Sequence, residues 1–336
     1  LMRSSAASDV YKRQLMHGDS FQGRLSRSVI IEDRVKDTMA AMGFMELYNY
    51  NFTSPQEYDL LLIPENDEKR NTVRLQNPFG EDQSLMRTTL IGGLLRTMRT
   101  NCNKKSGHGR FFEIGNVHFN NPDLPEERKM LGIIAYGGAG NVRNAENFFT
   151  LKGIIEKLFE ILGIENARFE RGGGAYLHPG QKAVVSIDGE VIGEMGCTHP
   201  RVEKNFSLSC SAYLAEIDFN KLAAHTNNSR KYRPLPKFPI VPRDIAVVVD
   251  RNIEAQTVID IINTAKTQVI VENAKVFDVY YPKEAGDKGI PEGKKSMAFS
   301  FELRSDERTL TDEDINRAVN TILKALKFRL DAVLRS

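Results

Sequence analysis

The chain has 336 residues, which is too long for one hydrophobic core of ordinary size, so two domains are expected. Apolar residues make up 41% and charged residues 27%, a composition typical of a soluble globular protein. No apolar run approaches the ~18 residues of a membrane span, and a net charge of +2 does not by itself indicate a nucleic-acid partner.

The N-terminal stretch LMRSSAASDVYKRQ has no apolar period and lacks the apolar core of a signal peptide. We therefore expect residues 1–19 to be a non-native or disordered leader, and the natural chain to extend upstream. The three cysteines, Cys102, Cys197 and Cys210, lie far apart without a C-x-x-C pair. That spacing favours a reducing, cytoplasmic location.

Apolar spacing predicts a helix over residues 24–43, ended by Gly43. The stretch ELYNYNF that follows is predicted to be a strand, with Tyr48, Tyr50 and Phe52 on one face.

The next four residues, SPQE, are typical of a helix start. Ser54 suits the N-cap, Pro55 suits the first helical position, and Glu57 is expected to reach back to the Ser54 amide. TVRLQNP is then predicted to be a strand, and SLMRTTLIGGLLRTMRTNC a helix.

RFFEIGNVHF, residues 110–119, is predicted to be a strand with different side chains on its two faces. Phe111, Glu113 and Val117 are expected on one face, and Phe112, Ile114 and His118 on the other. An acid among aromatic residues indicates either the wall of a nucleotide site or a core strand.

The rest of the first region alternates between strands and helices. MLGIIAYGG is predicted to be a strand, and residues 148–163 a helix ended by Gly163. KAVVSIDGEVIGEM is predicted to be a hairpin turning at Asp188-Gly189, and AYLAEIDFNKLAA a strand leading into a helix. The region is therefore expected to be an antiparallel sheet with flanking helices.

The polar, proline-bearing stretch at residues 225–239 indicates a domain boundary. Beyond it, RDIAVVVD is predicted to be a strand, residues 254–265 a helix, and AKVFDVYY and SMAFSFELR two further strands. A helix capped by Thr311 follows, and AVLR is predicted to close the sheet. In SMAFSFELR, Met297, Phe299, Phe301 and Leu303 are expected to face inward. The order β-α-β-β-α-β predicts a ferredoxin-like module.

The common phosphate-loop, metalloprotease, serine-hydrolase and dinucleotide motifs do not occur in the sequence. RGGG at residues 171–174 is interpreted as a bulged connector, because it lacks the Lys-Ser/Thr of a phosphate loop. His178 and His199 each precede a proline, which favours strand-to-turn positions over metal ligation. No metal site is predicted.

Basic residues of the second module cluster near its predicted loops. They are Lys237, Arg243, Lys283, Lys288, Lys294, Lys295, Arg304 and Arg308. Residues 235–336 nevertheless contain 16 Lys and Arg against 16 Asp and Glu. RNA binding therefore requires these charges to gather on one side, with Phe238, Tyr280 or Tyr281 free to stack on bases.

Taken together, these stretches resemble the β subunit family of bacterial phenylalanyl-tRNA synthetase. The resemblance rests on NFTSPQEYD, VRLQNPFGEDQSLMRTTL, RFFEIGNVHF, LKGIIEKLFEILGI, LHPGQKAVV, IGEMGCTHP, YLAEIDFNKL, FPIVPRDIAVVVD and GIPEGKKSMAFSFELRSDERTLTDEDI. It covers the chain from about residue 20 to its end.

The resemblance implies an α+β chain with two domains. Residues 20–228 resemble the family's catalytic-like module, a class II synthetase-like antiparallel sheet with flanking helices. Residues 229–238 are expected to be a linker, and residues 239–336 a ferredoxin-fold anticodon-binding domain. The family's upstream regions, including its editing domain, are not expected in this chain.

The resemblance also implies that this chain is non-catalytic. In class II cores the second signature reads aromatic-Arg-x-Glu, and its arginine holds the ATP phosphate. Aligning on Glu113 places Phe111 at the arginine position, while the neighbouring Arg110 is expected on the opposite face. The third signature falls near YLAEIDFNKL, which has Asn220 where an arginine is expected. Glu113 is therefore predicted to accept a structural hydrogen bond.

The expected function is that of a β subunit fragment of phenylalanine–tRNA ligase, which scaffolds the α subunit in an α2β2 assembly and binds tRNA. ATP and magnesium would serve the holoenzyme and would not bind this fragment. The residues expected to contact tRNA are Lys237, Arg243, Lys294, Lys295, Arg304 and Arg308. Two alternatives are a stand-alone class II-like adenylate-forming enzyme and an amino-acid-sensing ferredoxin-like regulatory protein.

Overall fold

The computed structural model describes residues 23–137, 145–227, 232, 234–282 and 290–335. The chain divides into two compact units, residues 1–230 and 231–336. The leader predicted at residues 1–19 lies outside the described residues, as do parts of the predicted linker. Residues 283–289, in the loop that precedes SMAFSFELR, also lie outside them. In the described ranges, no helix combines the length and the apolar character needed to cross a membrane.

The first unit is built from helices and strands that alternate along the chain. Its helices are α1 (Arg27–Ala41), α2 (Pro55–Leu60), α3 (Ile91–Asn103), α4 (Phe148–Leu162), α5 (Pro200–Asn205) and α6 (Phe219–Ala224). Its strands are β1 (Met45–Glu46), β2 (Phe52–Thr53), β3 (Leu85–Met86), β4 (His108–Phe119), β5 (Glu126–Gly137), β6 (Ala167–Arg171), β7 (Leu177–Ile187), β8 (Glu190–Thr198) and β9 (Ala212–Asp218).

A seven-stranded sheet forms the centre of this unit, in the order β1-β4-β5-β9-β8-β7-β6. The short β1 pairs parallel to β4, and every other pair is antiparallel. Strands β2 and β3 form a separate two-stranded ladder. The predicted antiparallel sheet with flanking helices is therefore confirmed.

Successive side chains of the central strands belong to two separate apolar cores, one on each face of the sheet. Phe112 packs with residues of α1, α4 and α6, whereas Phe111 packs with residues of α2 and α3. This alternation is the ordinary consequence of strand geometry. The two-faced strand predicted for residues 110–119 is confirmed.

The turn signals read from the sequence have the expected geometry. Gly163 ends α4 in the left-handed conformation with φ 69°, where a side chain is disfavoured. Asp188 and Gly189 join β7 to β8 with φ values of 49° and 85°, as the two-residue hairpin turn requires. Both predictions are confirmed.

Three predictions for residues 46–102 are wrong. The strand expected in ELYNYNF is reduced to two short pieces, because Tyr48 and Tyr50 are 79% and 81% exposed and pair with no sheet. TVRLQNP forms only isolated bridges at Thr72 and Arg74. The helix expected from Ser84 begins at Ile91, because β3 takes up the preceding residues.

The predicted capping contact of Glu57 is also wrong, although Ser54 and Pro55 take the expected positions at the start of α2. The Glu57 carboxylate turns inward and is 4% exposed. It forms an ion pair with Arg96, and a side chain at Gly92 would collide with it. The glycine in α3 therefore makes room for a buried carboxylate.

The second unit contains strands β10 (Val241–Asp250), β11 (Ile270–Tyr280), β12 (Lys294–Arg304) and β13 (Val333–Leu334), with helices α7 (Ala255–Thr264) and α8 (Asp312–Leu330). Its sheet has the order β11-β12-β10-β13, and all three pairs are antiparallel. This is the strand order of a ferredoxin-like β-α-β-β-α-β fold, which confirms the prediction.

The core of the second unit lies between one face of the sheet and the two helices. Met297, Phe299, Phe301 and Leu303 are all buried there, as predicted. Thr311 caps α8 by a reciprocal capping box with Asp314. Alternate residues of β10 and β12 therefore point to a second face that this core does not use.

Candidate functional site

The position predicted for the signature arginine lies in an apolar core. Phe111 is 5% exposed, and its ring centroid lies 6.2 Å from that of Tyr136. Helices α2 and α3 supply many of the other apolar side chains of this core, and β5, β7, α5 and β9 supply more. A phosphate group placed here would have to displace packed aromatic side chains.

Glu113, on the same face of β4, accepts the structural hydrogen bonds that were predicted for it. Its carboxylate lies 2.6 Å from Arg87 Nη1 and accepts a 2.6 Å hydrogen bond from Asn49 Nδ2. Arg87 Nε also donates to the carbonyl oxygen of Asn116. Since the Arg87 and Glu113 side chains are only 6% and 3% exposed, this carboxylate has no room to contact a ligand.

Arg110 lies on the opposite face, as predicted. Its Nε is 2.6 Å from Glu146 Oε1, its Nη1 donates to the carbonyl oxygen of Met42, and its guanidinium lies over the Phe44 ring. Asn220, at the position expected for the second signature arginine, is an exposed residue of α6. Asn220 therefore offers no guanidinium, and the Arg110 guanidinium is already paired.

Farther along that face, a buried polar network joins Lys69 to β8 and β9. Lys69 Nζ lies 2.7 Å from Glu194 and 3.5 Å from Glu216, and the Tyr176 hydroxyl donates to Glu194. Burial raises the pKa of Tyr176 well above its usual value. Although burial acts in the opposite direction, the Lys69 ammonium lowers the pKa of Glu194. One ammonium group therefore contacts two carboxylates within this network.

A cavity of about 300 Å³ lies beside this network, at the lower end of the range for small-molecule sites. Lys69 and Arg128 are the cations that line it. Arg128 already pairs with Glu126 at 2.6 Å and with Glu68 at 2.7 Å. Because carboxylates neutralise both cations, the cavity is a poor match for a triphosphate.

The glycine-rich connector and the two histidines have local structural partners. The Gly174 amide donates to Glu194 Oε2, and the Gly173 carbonyl oxygen accepts from Lys182. His178 and His199 each accept a hydrogen bond from the backbone amide two residues later. In the part of the chain that the structure describes, no three His, Cys, Asp or Glu side chains are placed to hold a metal ion.

In the second unit, the residues predicted to contact tRNA fall at both ends of β12. Lys294 and Lys295 begin this strand and Arg304 ends it, so about 30 Å separate the two ends. Arg243 lies opposite Phe301, near the Arg304 end. These basic residues do not form one patch.

Ion pairs already occupy two of the arginines. Arg304 is held by both carboxylate oxygens of Glu272, at 2.8 Å each, and by Asp306. Hydrogen bonds to Glu272 raise the pKa of Arg304 further above its usual value. Arg308 pairs with Asp314, and this contact lowers the pKa of Asp314 to about 2.

The remaining predicted residues differ in exposure. Lys237 is exposed in the segment before β10, and half-buried Arg243 donates to the carbonyl oxygen of Pro242. Lys294 lies between Asp250 and Asp331, at 3.7 Å and 3.8 Å. Lys295 is only 4% exposed, with its ammonium 5.6 Å from the centre of the Tyr281 ring.

The face of the sheet away from α7 and α8 carries an aromatic ring beside a cation and small side chains. The Arg335 guanidinium lies 5.8 Å from the centre of the Tyr280 ring, and its Nη1 donates to Ser296 Oγ at 3.2 Å. Ala246 and Ala298, which pair across β10 and β12, lie on the same face. This open face therefore places a half-buried aromatic ring beside a guanidinium.

Comparison with known protein families assigns both units. The family described as "Phenylalanyl tRNA synthetase beta chain CLM domain" matches residues 12–219. This chain belongs to the phenylalanyl-tRNA synthetase beta chain family. The "Ferredoxin-fold anticodon binding domain" matches residues 236–335. The family and the ferredoxin fold predicted from the sequence are both confirmed.

Curated relatives of this family are similar over nearly all of the chain. The phenylalanine–tRNA ligase beta subunits of Clostridium acetobutylicum and Clostridium tetani are each 38% identical, over 91% of this chain and 37% of their own length. The Symbiobacterium thermophilum beta subunit is 36% identical over 94% of this chain and 36% of its own length. The chain thus spans somewhat more than a third of these relatives.

Within the ferredoxin-fold domain of this family member, sequence reasoning missed Arg251 and Arg335. Arg251 follows β10, and its guanidinium lies 5.4 Å from the centre of the Tyr281 ring. Arg335 follows β13 and is the last residue of AVLR, the stretch predicted to close the sheet. Their positions at strand ends could be predicted, but their aromatic neighbours, Tyr280 at the end of β11 and Tyr281 just after it, are more than 25 residues away in sequence.

Proposed function

We propose that this chain is part of the non-catalytic β subunit of a cytoplasmic phenylalanine–tRNA ligase. In this proposal it supports a catalytic α subunit in an α2β2 assembly and binds the anticodon region of phenylalanine tRNA. The holoenzyme uses ATP and magnesium, and this chain binds neither. The observation that carries the proposal is the pair of family matches, which cover 12–219 and 236–335 in the order found in a beta chain.

The packing of the first unit supports a non-catalytic role. Adenylation needs guanidinium groups aimed at the phosphates and at the charge that develops during transfer. Phe111 fills the expected position, Arg87 is paired with Glu113, and Arg110 points to the other face. The residues present therefore do not fit ATP on this face of the sheet.

The open face of the second unit supports RNA binding. Single-stranded bases stack on aromatic rings and on guanidinium planes, and small neighbouring side chains let a base lie close to a sheet. Tyr280 and Arg335 supply the ring and the guanidinium, while the buried Ser296 accepts a hydrogen bond that holds the Arg335 guanidinium in place. We place the base-binding site on Tyr280 and Arg335.

The charges at the adjacent end of the sheet suit the RNA backbone. Lys294 and Arg251 lie where β10 ends and β12 begins, and the Arg251 guanidinium lies near Tyr281. Lys295 lies beside them but is only 4% exposed, so it is a weaker candidate. Arg304 and Arg308 lie at the other end and carry tight ion pairs, so they are weaker candidates for phosphate contacts. Lys237 and Arg243 would add contacts near that other end.

The test is binding of a fluorescent anticodon stem-loop of phenylalanine tRNA to the chain over a range of salt concentrations. Tyr280→Ala should weaken binding by about 5- to 150-fold, since stacking one base contributes ~1–3 kcal/mol. Arg335→Gln should weaken binding and reduce the log–log salt slope by about 0.7 if the guanidinium contacts a phosphate. Arg304→Gln is the matched control and should change binding little, because Glu272 already neutralises this arginine.

Two results would contradict the proposal. One is a chain that does not bind the stem-loop at low salt. The other is Arg304→Gln weakening binding as much as Arg335→Gln, which would move the RNA to the opposite end of the sheet. A thermal shift with phenylalanine and none with RNA would favour an amino-acid-sensing protein instead.

A further inference from the structure

Residues 83–112 of the first unit contain no aspartate or glutamate, but they contain six basic residues. These are Arg87, Arg96, Arg99, Lys104, Lys105 and Arg110. Carboxylates from outside this stretch pair with Arg87, Arg96 and Arg110. Within the ranges that the structure describes, no carboxylate pairs with Arg99, Lys104 or Lys105. Three positive charges of this stretch therefore remain available to a partner.

The three unpaired cations lie at the C-terminal end of α3. Arg99 is exposed and lies one helical turn after Arg96, so these two residues share the solvent face of the helix. Lys104 is the C-cap residue, Lys105 follows it, and both are exposed. The end of α3 therefore presents a row of cations to solvent.

A cavity of about 390 Å³ adjoins this row, and Arg96 and Arg99 both line it. Tyr50, which is 81% exposed, lines the same cavity, and Gln83 adds an amide group. The volume lies within the range of sites that hold small molecules. The cavity thus brings together an open aromatic ring, a paired arginine and an unpaired arginine.

We propose that Tyr50, Arg99, Lys104 and Lys105 form a second RNA-binding surface, on which one unpaired nucleotide of tRNA stacks on Tyr50 and the cations contact the adjoining phosphates. The proposal rests on the proposed function, because it takes the same partner. Aromatic rings beside basic groups are the usual means of holding single-stranded nucleic acid without reading its sequence. An acidic protein segment would pair with the cations alone, whereas the exposed ring and the cavity suit a flat base.

Asp82 gives the proposal an opposite prediction. Its exposed carboxylate lines the same cavity, and among the described residues no cation pairs with it. The negative charge of Asp82 repels a phosphate group, which lowers the affinity of the surface for RNA. Asp82→Asn should therefore strengthen RNA binding, although it adds no positive charge.

The test measures binding of whole, fluorescent phenylalanine tRNA to the full chain over a range of salt concentrations. Tyr50→Ala should weaken binding by about 5- to 150-fold, the loss that one stacked base represents. Arg99→Gln and Lys104→Gln should each weaken binding and lower the log–log salt slope by about 0.7. Lys157→Gln is the matched control, because it removes the same charge from α4, which packs on the other face of the sheet. It should leave the affinity and the slope unchanged.

Photo-cross-linking locates the contact by a second route. Whole tRNA that carries 4-thiouridine should cross-link to a peptide that contains Tyr50 or to one from the end of α3, and mass spectrometry identifies these peptides. Circular dichroism first establishes that each variant is folded. Cations at a helix C-terminus also stabilise the helix, but that role does not change the salt slope of RNA binding.

Wild-type affinity and salt slope in both Tyr50→Ala and Arg99→Gln overturn the inference, as do cross-links confined to the second unit. If Tyr280→Ala still weakens binding of the anticodon stem-loop, the proposed function survives that failure. Binding of whole tRNA that depends on Tyr50 but not on Tyr280 gives the reverse result, because this surface then stands and the base-binding site on the second unit fails. An Arg99→Gln variant that binds tRNA normally but no longer elutes with the α subunit would assign the surface to a protein contact and overturn the inference.

Discussion

The buried pair of Arg87 and Glu113 should be a main source of stability in the first unit. Arg87→Met would leave the Glu113 carboxylate, 3% exposed, with only Asn49 as a donor. Removing one partner of a buried ion pair costs about 3–5 kcal/mol, because the other charge stays buried without compensation. The opening equilibrium of β4 should therefore rise by about two to four orders of magnitude.

Hydrogen–deuterium exchange of the β4 and β5 peptides measures this opening without interference from the second unit. The double variant Arg87→Met, Glu113→Met should lose less stability than Arg87→Met alone, because no charge is then left unpaired. Lys157→Met is the matched control for loss of an ion pair. Its partner is Glu160 at 2.9 Å, but both side chains are more than half exposed, so the cost should stay below about 1 kcal/mol.

An Arg87→Met variant that exchanges no faster than Lys157→Met would refute this reasoning. A double variant that is less stable than either single variant would refute it too. Either result would mean that Glu113 has another source of compensation, and the packed-core account of the Phe111 face would need revision.

Three further predictions concern local structure. Gly163→Ala should lower the free energy of unfolding by about 1 kcal/mol or more, because φ at this residue is 69° and the new methyl group would collide with the Asn227 carbonyl. Hydrogen–deuterium exchange at the end of α4 measures this loss. Thr311→Ala should lower the free energy of unfolding by about 1 kcal/mol, because it removes the N-cap of α8. Faster hydrogen–deuterium exchange in the first turn of α8 would show this loss. Since Arg308 holds the pKa of Asp314 at about 2, the stabilisation from this carboxylate is complete above about pH 4 and disappears as the pH falls through 2. Arg308→Gln should flatten that loss in acid unfolding, and an unchanged acid profile would argue against the pair.

Local periodicity predicted the elements whose burial pattern is regular. The alternation at Met297, Phe299, Phe301 and Leu303 gave the inward face of β12, and all four side chains are at most 1% exposed. ELYNYNF has a similar alternation of aromatic residues, yet its tyrosines are exposed. Periodicity shows which residues share a face, but it does not show whether another element covers that face.

The contacts that define the site could not be predicted, because they join segments that are distant in sequence. Nothing near Glu113 in sequence indicates that Arg87 will meet it, or that Glu57 will turn from its own helix cap to Arg96. The sequence shows that Arg304 is charged, but it does not show that Glu272 on β11 neutralises this charge. Positions of charges were therefore predictable, but their neutralisation was not.

Phenylalanine-dependent ATP–pyrophosphate exchange tests the central claim most directly, on this chain alone and then with the cognate α subunit. The account predicts no exchange by the chain alone, and exchange from a fraction in which both chains elute together. Exchange by the chain alone would contradict it, because a working adenylation site would then exist despite Phe111 and the paired Arg87.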